Sequence, residues 1–316
     1  MRAVTIDNNQ ITVQERSNPT LLANQILVKV KAAGLNGADL LQMRGLYPPP
    51  KGYNPLIPGL EFSGEVVEIG SHVVDSFEIG DRVMSIVSGE AQAEMVRVEA
   101  SHAIKIPSFF TFEMAGGFSE TYFTAYDALF NRGKVTLGTN ALVTGASGGV
   151  GLSAINLLHK AGAQITATTR HKNHLEYLHS IGADFALTPD DDIKVKDLGP
   201  YDIVLELVGG NNFEQHITKL NTGGVYIAIG VSAGAKFTLN VLELMNRRAF
   251  ITGSTLRSRS IIEKANLANT IKTNVLPILD ANSVKIDKVF PLRDARNAYE
   301  YFENGGKLGK VILKID

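Results

Sequence analysis

The 316-residue sequence predicts an α/β protein, in which a doubly wound, six-stranded parallel sheet is combined with a partly open β-barrel-like domain. Three observations lead to this prediction. The chain is long enough for two domains. Its first third contains short strand-like runs separated by Gly and Pro clusters. From about residue 115 onwards, apolar strand-like runs alternate with helical patterns, which is typical of a parallel sheet.

The composition is that of an ordinary globular protein, with 44% hydrophobic residues, 20% charged residues and a net charge of −1. This charge gives no reason to expect binding to nucleic acid or to an anionic membrane surface. The absence of cysteine excludes disulfides, cysteine nucleophiles, iron–sulfur clusters and four-cysteine zinc lobes. No apolar run approaches the length of a membrane span, and the N-terminus starts with strand-like alternation, so we expect a cytoplasmic protein.

Residues 1–118 are expected to form the barrel-like domain. Their strand-like runs are residues 3–6, 11–13, 25–33, 64–69, 82–87 and 93–98. Residues 37–45 are expected to form one short helical turn.

Residues 119–276 are expected to form the parallel sheet with its helices. The six predicted strands are residues 141–144, 164–169, 183–187, 203–208, 224–230 and 250–255. Residues 277–316 contain strand-like runs at 289–292 and 311–313 and a helix through 299–302, and we expect them to return and complete the first domain.

The stretch ALVTGASGGVG at residues 141–151 joins an apolar run to a helical pattern through a glycine-rich turn. Its spacing is a variant of the G-x-G-x-x-G fingerprint, and a second strand follows the helix, which is the βαβ order of a Rossmann half. We therefore expect a dinucleotide whose diphosphate lies at the helix N-terminus, and a turn without ligand is the less favoured alternative. The residues expected to hold the cofactor here are Gly145, Ser147, Gly148, Gly149 and Val150.

The end of the second predicted strand indicates which dinucleotide is bound. An NAD site would place Asp or Glu about 20 residues past the glycines, to bind the ribose 2′-hydroxyl. Residues 168–174 read TTRHKNH and contain no carboxylate, whereas Arg170 and Lys172 offer positive charge for a 2′-phosphate. NADPH is therefore favoured over NADH. The alternative is that Arg170 and Lys172 are a solvated basic helix start.

Several motifs occur in order along nearly the whole chain: GLNGADLLQMRGLYPPP, IPGLEFSGEV, GDRVMSIV, ALVTGASGGVG, SIGADFAL and GKLGKVILKI. In these motifs the chain resembles the medium-chain dehydrogenase/reductase superfamily. Within it, the chain is similar to the zinc-independent quinone oxidoreductase branch, close to the p53-induced quinone-oxidoreductase-like group, which shares GLYPPP and a stretch like GSTLRSR at residues 253–259. The resemblance implies a GroES-like catalytic domain beside a Rossmann domain.

Related alcohol dehydrogenases bind a catalytic zinc through a Cys and a His–Glu pair. Here Asn36 stands in the Cys position ahead of Asp39, and Leu60 precedes Glu61 where His would stand. One remaining carboxylate cannot provide a three-ligand zinc site, so no metal is expected. Glu61 is interpreted as a remnant carboxylate with a structural partner.

The resemblance also implies which residues surround the acceptor. Asn36 and Tyr47 match positions that line the substrate pocket beside the nicotinamide, and a second pocket tyrosine of some members is Leu41 here. From the residues alone, Asn36 could simply cap the following helix, and Tyr47 could pack on the polyproline-like strand after it.

Further cofactor contacts are implied in the same way. Thr124 matches a hinge position near the nicotinamide, and Gly209 matches a position bordering the cofactor. The stretch that follows the fifth strand contributes Gly230, Val231 and Ser232. A tyrosine often found at the 2′-phosphate is Pro189 in this chain, so Arg170 would have to compensate.

We therefore expect hydride transfer from NADPH to a quinone or to the β-carbon of an α,β-unsaturated carbonyl, with Asn36 and Tyr47 as hydrogen-bond donors to the acceptor oxygen. The proton donor is not identified by the sequence. One alternative is an NADPH-binding protein with weak turnover that acts as a redox-state sensor or cofactor reservoir, and another is a purely structural protein. Family members commonly dimerise through sheet edges, and the uncharged strand at 249–253 predicts a homodimer.

Overall fold

The structure is a computed structural model that describes all residues from Met1 to Asp316. The strands are β1 (Arg2–Asp7), β2 (Gln10–Glu15), β3 (Gln25–Gly34), β4 (Glu61–Ile69), β5 (Arg82–Ile86), β6 (Met95–Glu99), β7 (Ile104–Lys105), β8 (Asn140–Val143), β9 (Gln164–Thr168), β10 (Phe185–Leu187), β11 (Tyr201–Glu206), β12 (Leu220–Ala228), β13 (Phe250–Gly253), β14 (Ile286–Pro291) and β15 (Lys310–Lys314).

The helices alternate with the strands mainly in the middle of the chain. They are α1 (Gly37–Met43), α2 (Phe112–Gly116), α3 (Ser119–Tyr126), α4 (Gly149–Lys160), α5 (Leu175–Ser180), α6 (Asp192–Asp197), α7 (Asn212–Ile217), α8 (Val241–Arg247), α9 (Ile261–Thr270) and α10 (Ala295–Asn304). No helix is both long and apolar enough to cross a membrane.

The chain forms two compact units. Unit 1 comprises Met1–Phe123 and Leu256–Asp316, and unit 2 comprises Thr124–Thr255. The return to the first unit therefore lies at residue 256 rather than at the expected residue 277. Hydrogen bonds explain this difference, because His102 Nε2 donates to Ile261 O at 2.9 Å and Arg257 Nε donates to Ser88 O at 2.8 Å, both inside unit 1.

Unit 1 is built on a largely antiparallel sheet of order β14-β15-β3-β4-β5-β7, with β6 also paired to β3 and with β1 and β2 as a separate hairpin. The C-terminal strand β15 joins this sheet by pairing Ile312 with Gly34. As a result, the end of the chain lies against the start of the segment that contains Asn36. Apolar side chains from both parts of the sequence, including Val28 and Val311, form one core.

Unit 2 contains a six-stranded parallel sheet of order β10-β9-β8-β11-β12-β13, which confirms the predicted doubly wound architecture. The side chains of residues 141–143 in β8 are all buried, as expected of a strand covered on both faces. Strand β13 pairs only with β12, so it is an edge of the sheet.

Candidate active site

The glycine-rich turn of unit 2 has the geometry of an anion cradle. It connects β8 to the 12-residue helix α4, and Gly145 adopts a left-handed φ of 58° that makes the turn possible. The N-cap residue Gly148 has no side chain to occupy the first N–H groups of the helix, which can therefore bind an anion. A Cβ built on Gly148 would meet only Gly145 O, at 3.7 Å. The turn therefore leaves room for a phosphate beside its backbone.

The end of β9 lies next to this cradle. Ser147 Oγ and Thr169 Oγ1 are 3.0 Å apart and share a hydrogen bond, and Thr169 Oγ1 also accepts from His171 N at 3.3 Å. Arg170, between these residues, is exposed and has no hydrogen bond or ion pair in the protein. Its guanidinium is thus free to bind a ligand.

A buried carboxylate that the sequence analysis did not identify shapes the neighbouring loop. Glu206 Oε1 accepts from Thr144 Oγ1 at 2.7 Å, from Val208 N at 2.8 Å and from Gly209 N at 2.9 Å. Burial favours the neutral acid, but hydrogen bonds from His216 and from these donors outweigh it and lower the pKa of Glu206. The ionised Glu206 therefore fixes the loop that contains Gly209.

The two loops predicted to border the cofactor are brought together in unit 2. Val208 O accepts from Ala233 N at 2.9 Å and from Ser232 Oγ at 3.4 Å. Gly209 thus lies beside the stretch Gly230–Val231–Ser232, whose side chains at 231 and 232 are exposed. Thr124, at the start of unit 2, is buried in α3, and its hydroxyl makes no hydrogen bond within the protein.

Asn36 belongs to a buried cluster in unit 1. Asn36 is the N-cap of α1, in a capping box with Asp39, and its side chain also contacts the cluster: Nδ2 donates to Glu61 Oε1 at 3.0 Å and Oδ1 accepts from Lys310 Nζ at 2.8 Å. Lys310 also donates to Glu61 Oε1 at 2.6 Å, with side-chain exposures of 5% and 0%. The second amide N–H of Asn36 makes only a 3.4 Å contact with Gly34 O, so it is the weaker-bound donor.

Tyr47 lies in the same unit and is held by Arg257. The guanidinium donates to Tyr47 O at 2.6 Å and to the Gln42 side chain, and its Cζ lies 5.1 Å from the centre of the Tyr47 ring. The hydroxyl of Tyr47 has no partner within the protein. Burial, with a contribution from Glu120, raises the pKa of Tyr47, so its hydroxyl remains a hydrogen-bond donor at neutral pH.

Arg257 and Lys264 are two buried cations without an acidic ion-pair partner. Lys264 Nζ donates to Arg257 O at 3.0 Å and to the Ser88 hydroxyl, which itself donates to Arg257 O at 2.8 Å. Arg257 lies in the GSTLRSR stretch, and Lys310 lies in the C-terminal motif GKLGKVILKI. Both residues are thus part of the motifs that carry the resemblance, but the sequence did not predict a role for either.

Two family models match the chain. One is the alcohol dehydrogenase GroES-like domain, at residues 22–132, and the other is the zinc-binding dehydrogenase family, at residues 149–271. Despite the second description, the acceptor-side cluster does not suit zinc, because Glu61 is already paired with Lys310 and hydrogen-bonded to Asn36. No group of three or more His, Cys, Asp or Glu side chains is placed to hold a metal ion.

Individual relatives agree with these models. The mouse synaptic vesicle membrane protein VAT-1 homolog-like is 28% identical over 348 residues, covering 100% of this chain and 82% of the relative. The quinone oxidoreductase-like protein 2 homolog of Nematostella vectensis is 34% identical over 241 residues, covering 73% of this chain and 65% of the relative. The structure of the quinone oxidoreductase from Coxiella burnetii is 27% identical, with a TM-score of 0.81 and coverage of 100% and 99%. This chain therefore belongs to the medium-chain dehydrogenase/reductase superfamily and is an NAD(P)-dependent oxidoreductase.

Proposed function

We propose that this chain is a zinc-independent reductase that uses NADPH to reduce a quinone or an α,β-unsaturated carbonyl. The names of the Nematostella and Coxiella relatives support a quinone as acceptor. The observation that carries the choice of cofactor is Arg170, an exposed cation without a protein partner just after β9, where an NAD site would have a carboxylate.

Unit 2 would bind the cofactor through its backbone and one side chain. The N–H groups at the start of α4 would hold the diphosphate, and Arg170 would form charge-assisted hydrogen bonds to the 2′-phosphate. NADPH supplies a hydride when it is bound. Thr124, Gly209 and the exposed stretch that includes Val231 are proposed as its further contacts.

Unit 1 would orient the acceptor and stabilise the charge that develops on its oxygen. Tyr47 presents a free hydroxyl whose position is fixed by Arg257, and preorganised donors of this kind stabilise a developing oxyanion without reorganisation. The weakly held N–H of Asn36 would give a second donor. The remaining hydrogen bonds of Asn36 keep its amide oriented.

We also propose that two copies pair through unit 2. The edge strand β13 exposes Phe250 to 63% and Ile251 to 36%, and the adjacent helix α8 exposes Leu242 and Met245. An exposed edge that is apolar and uncharged is normally paired or covered. Pairing of two β13 edges about a two-fold axis would satisfy both with one self-complementary contact.

A panel of acceptors tests the proposed function. NADPH oxidation is followed with 1,4-benzoquinone, 9,10-phenanthrenequinone and a 2-alkenal, each with and without a metal chelator, and NADH is compared in parallel. We expect saturable, chelator-insensitive turnover with at least one acceptor and a preference for NADPH. Tight NADPH binding without acceptor-dependent oxidation would instead favour a cofactor reservoir or redox-state sensor.

A further inference from the structure

Glu120 differs from the other acidic residues near Asn36 in having a carboxyl group without a hydrogen-bond partner. Its backbone N–H donates to Glu61 Oε2 at 2.9 Å, which places it at the buried Glu61–Lys310 pair. Glu61 accepts from Asn36 and Lys310, and Asp39 accepts from two backbone N–H groups. Glu120 itself is partly exposed. Among Glu61, Asp39 and Glu120, only Glu120 therefore has a carboxyl group that makes no hydrogen bond and is accessible to a ligand.

The charges around Glu120 come from several elements of unit 1. Burial and the Glu61 carboxylate raise the pKa of Glu120 to about 8, against the opposing influence of Lys310 and Lys264. Asp39, on α1, also raises this pKa. At neutral pH the side chain is therefore mostly a carboxylic acid that can donate its proton.

The same surroundings can stabilise the carboxylate that remains after the proton has left. With Glu120 neutral, the basic side chains of Lys310, Arg257, Lys264 and Arg259 face the three carboxylates of Glu61, Asp39 and Glu263. Ionisation of Glu120 would balance this excess of positive charge, and its electrostatic attraction to Lys264 and Arg257 is consistent with that compensation. The site can thus accommodate both protonation states of Glu120.

The proposed reaction needs such a group. Reduction of a quinone or enone adds a hydride and then a proton. If the Tyr47 hydroxyl gives that proton to the acceptor, Tyr47 must afterwards be protonated again. Glu120 lies close enough to Tyr47 to influence the ionisation of its hydroxyl.

We propose that Glu120 is the proton donor of the reaction, acting on the reduced acceptor directly or through the Tyr47 hydroxyl. Hydride addition, with two electrons from the reduced nicotinamide, leaves a negative charge on the acceptor oxygen. The O–H bond of Glu120 breaks, the proton joins the acceptor, and the Glu120 carboxylate later recovers a proton from water. This inference rests on the proposed function.

The test compares the unmodified protein with Glu120→Gln over a range of pH. For the unmodified protein, kcat/KM should fall as the pH rises through about 8, because only the protonated Glu120 donates. Glu120→Gln should lose this limb and be slower by roughly 10²–10⁴-fold, the usual contribution of general acid catalysis. NADPH binding, measured by fluorescence, should be unchanged. Glu120→Asp should restore part of the rate, with a limb at a shifted pH.

Glu113→Gln is the matched control. Glu113 lies seven residues before Glu120, pairs with Lys314 at 3.5 Å and is outside the proposed site, so its variant should keep the rate and the pH limb. A Glu120→Gln variant with unchanged kcat/KM and an intact limb would overturn the proposal. If the unmodified protein binds NADPH but reduces no acceptor, the proposed function fails and this role fails with it.

An infrared titration tests the protonation state of Glu120 without an activity measurement. A carboxylic acid band should persist at neutral pH and disappear on raising the pH through about 8, and it should be absent or shifted in Glu120→Asp. A protein without any protonated carboxyl group at neutral pH would contradict the proposal.

Discussion

Replacement of Lys310 by Met should destabilise unit 1 strongly, because it leaves Glu61 buried without its cation. The Nζ–Oε1 distance is 2.6 Å, and the two side chains are 5% and 0% exposed. Removing one partner of a buried ion pair typically costs about 3–5 kcal/mol. Lys310 also donates to Leu35 O and to Asn36 Oδ1, both at 2.8 Å, so these acceptors lose their partner too. We expect a loss of about 3–5 kcal/mol in the free energy of unfolding.

The assay is urea-induced unfolding monitored by circular dichroism, for Lys310→Met, Glu61→Gln and the double variant. The double variant should lose less stability than the sum of the single losses, because no uncompensated charge is left in it. Lys314→Met is the control: its pair with Glu113, at 3.5 Å, involves a lysine that is 55% exposed, so a loss below about 1 kcal/mol is expected. A Lys310→Met protein within about 1 kcal/mol of the unmodified protein would refute the reasoning.

Three further variants test the cofactor site and the assembly. Arg170→Ala should weaken NADPH binding by about 1.5–3 kcal/mol and leave NADH binding nearly unaffected. Replacement of the exposed Lys160 by Ala is the control. Equal losses of affinity for both cofactors in binding titrations would contradict the assignment of Arg170 to the 2′-phosphate. Gly148→Val should abolish binding of both cofactors without unfolding, because the added Cβ makes only an ordinary van der Waals contact, 3.7 Å from Gly145 O, while the side chain occupies the expected place of the diphosphate. Retained binding would show that the phosphates lie elsewhere. Ile251→Pro should shift a homodimer towards monomer or aggregate in sedimentation experiments, because proline removes a backbone donor from β13. The control variant Ile251→Val should leave the homodimer unchanged. An unmodified protein that is monomeric at micromolar concentration would disprove the pairing.

The sheet of unit 2 could be predicted from the sequence because its signals are local. Each strand is a short apolar run, the glycine-rich turn lies directly between β8 and α4, and consecutive elements are neighbours in this kind of fold. Arg170 was identified for the same reason, since its position follows from the end of β9. These features depend on residues that are close together along the chain.

The acceptor side of unit 1 could be predicted only in part, because its contacts are distant in sequence. Lys310 and Glu61 are separated by 249 positions, and no periodicity connects them. A lysine in a C-terminal strand is normally interpreted as solvent-facing, as is an acidic residue such as Glu120 in the first turn of a helix. Arg257 was similarly hidden, because its partners Tyr47 and Ser88 belong to other segments.

The boundary at residue 256 has the same origin. The segment that follows β13 has a helical pattern, α9, which resembles the preceding helices of the parallel sheet. Lys264, on α9, nevertheless donates a hydrogen bond from its side chain to Ser88 of unit 1. This long-range contact assigns the helix to unit 1.

The fate of a hydrogen at C4 of the nicotinamide tests the central claim most directly. The protein is supplied, in the presence of a chelator, with NADPH carrying deuterium on one or the other face of C4 and with an acceptor that it reduces, and the NADP⁺ formed is analysed by mass spectrometry. Stereospecific hydride transfer predicts that NADP⁺ loses the deuterium from one labelled form and retains it from the other. NADPH that stays reduced with every acceptor, or deuterium lost equally from both faces, would contradict the account.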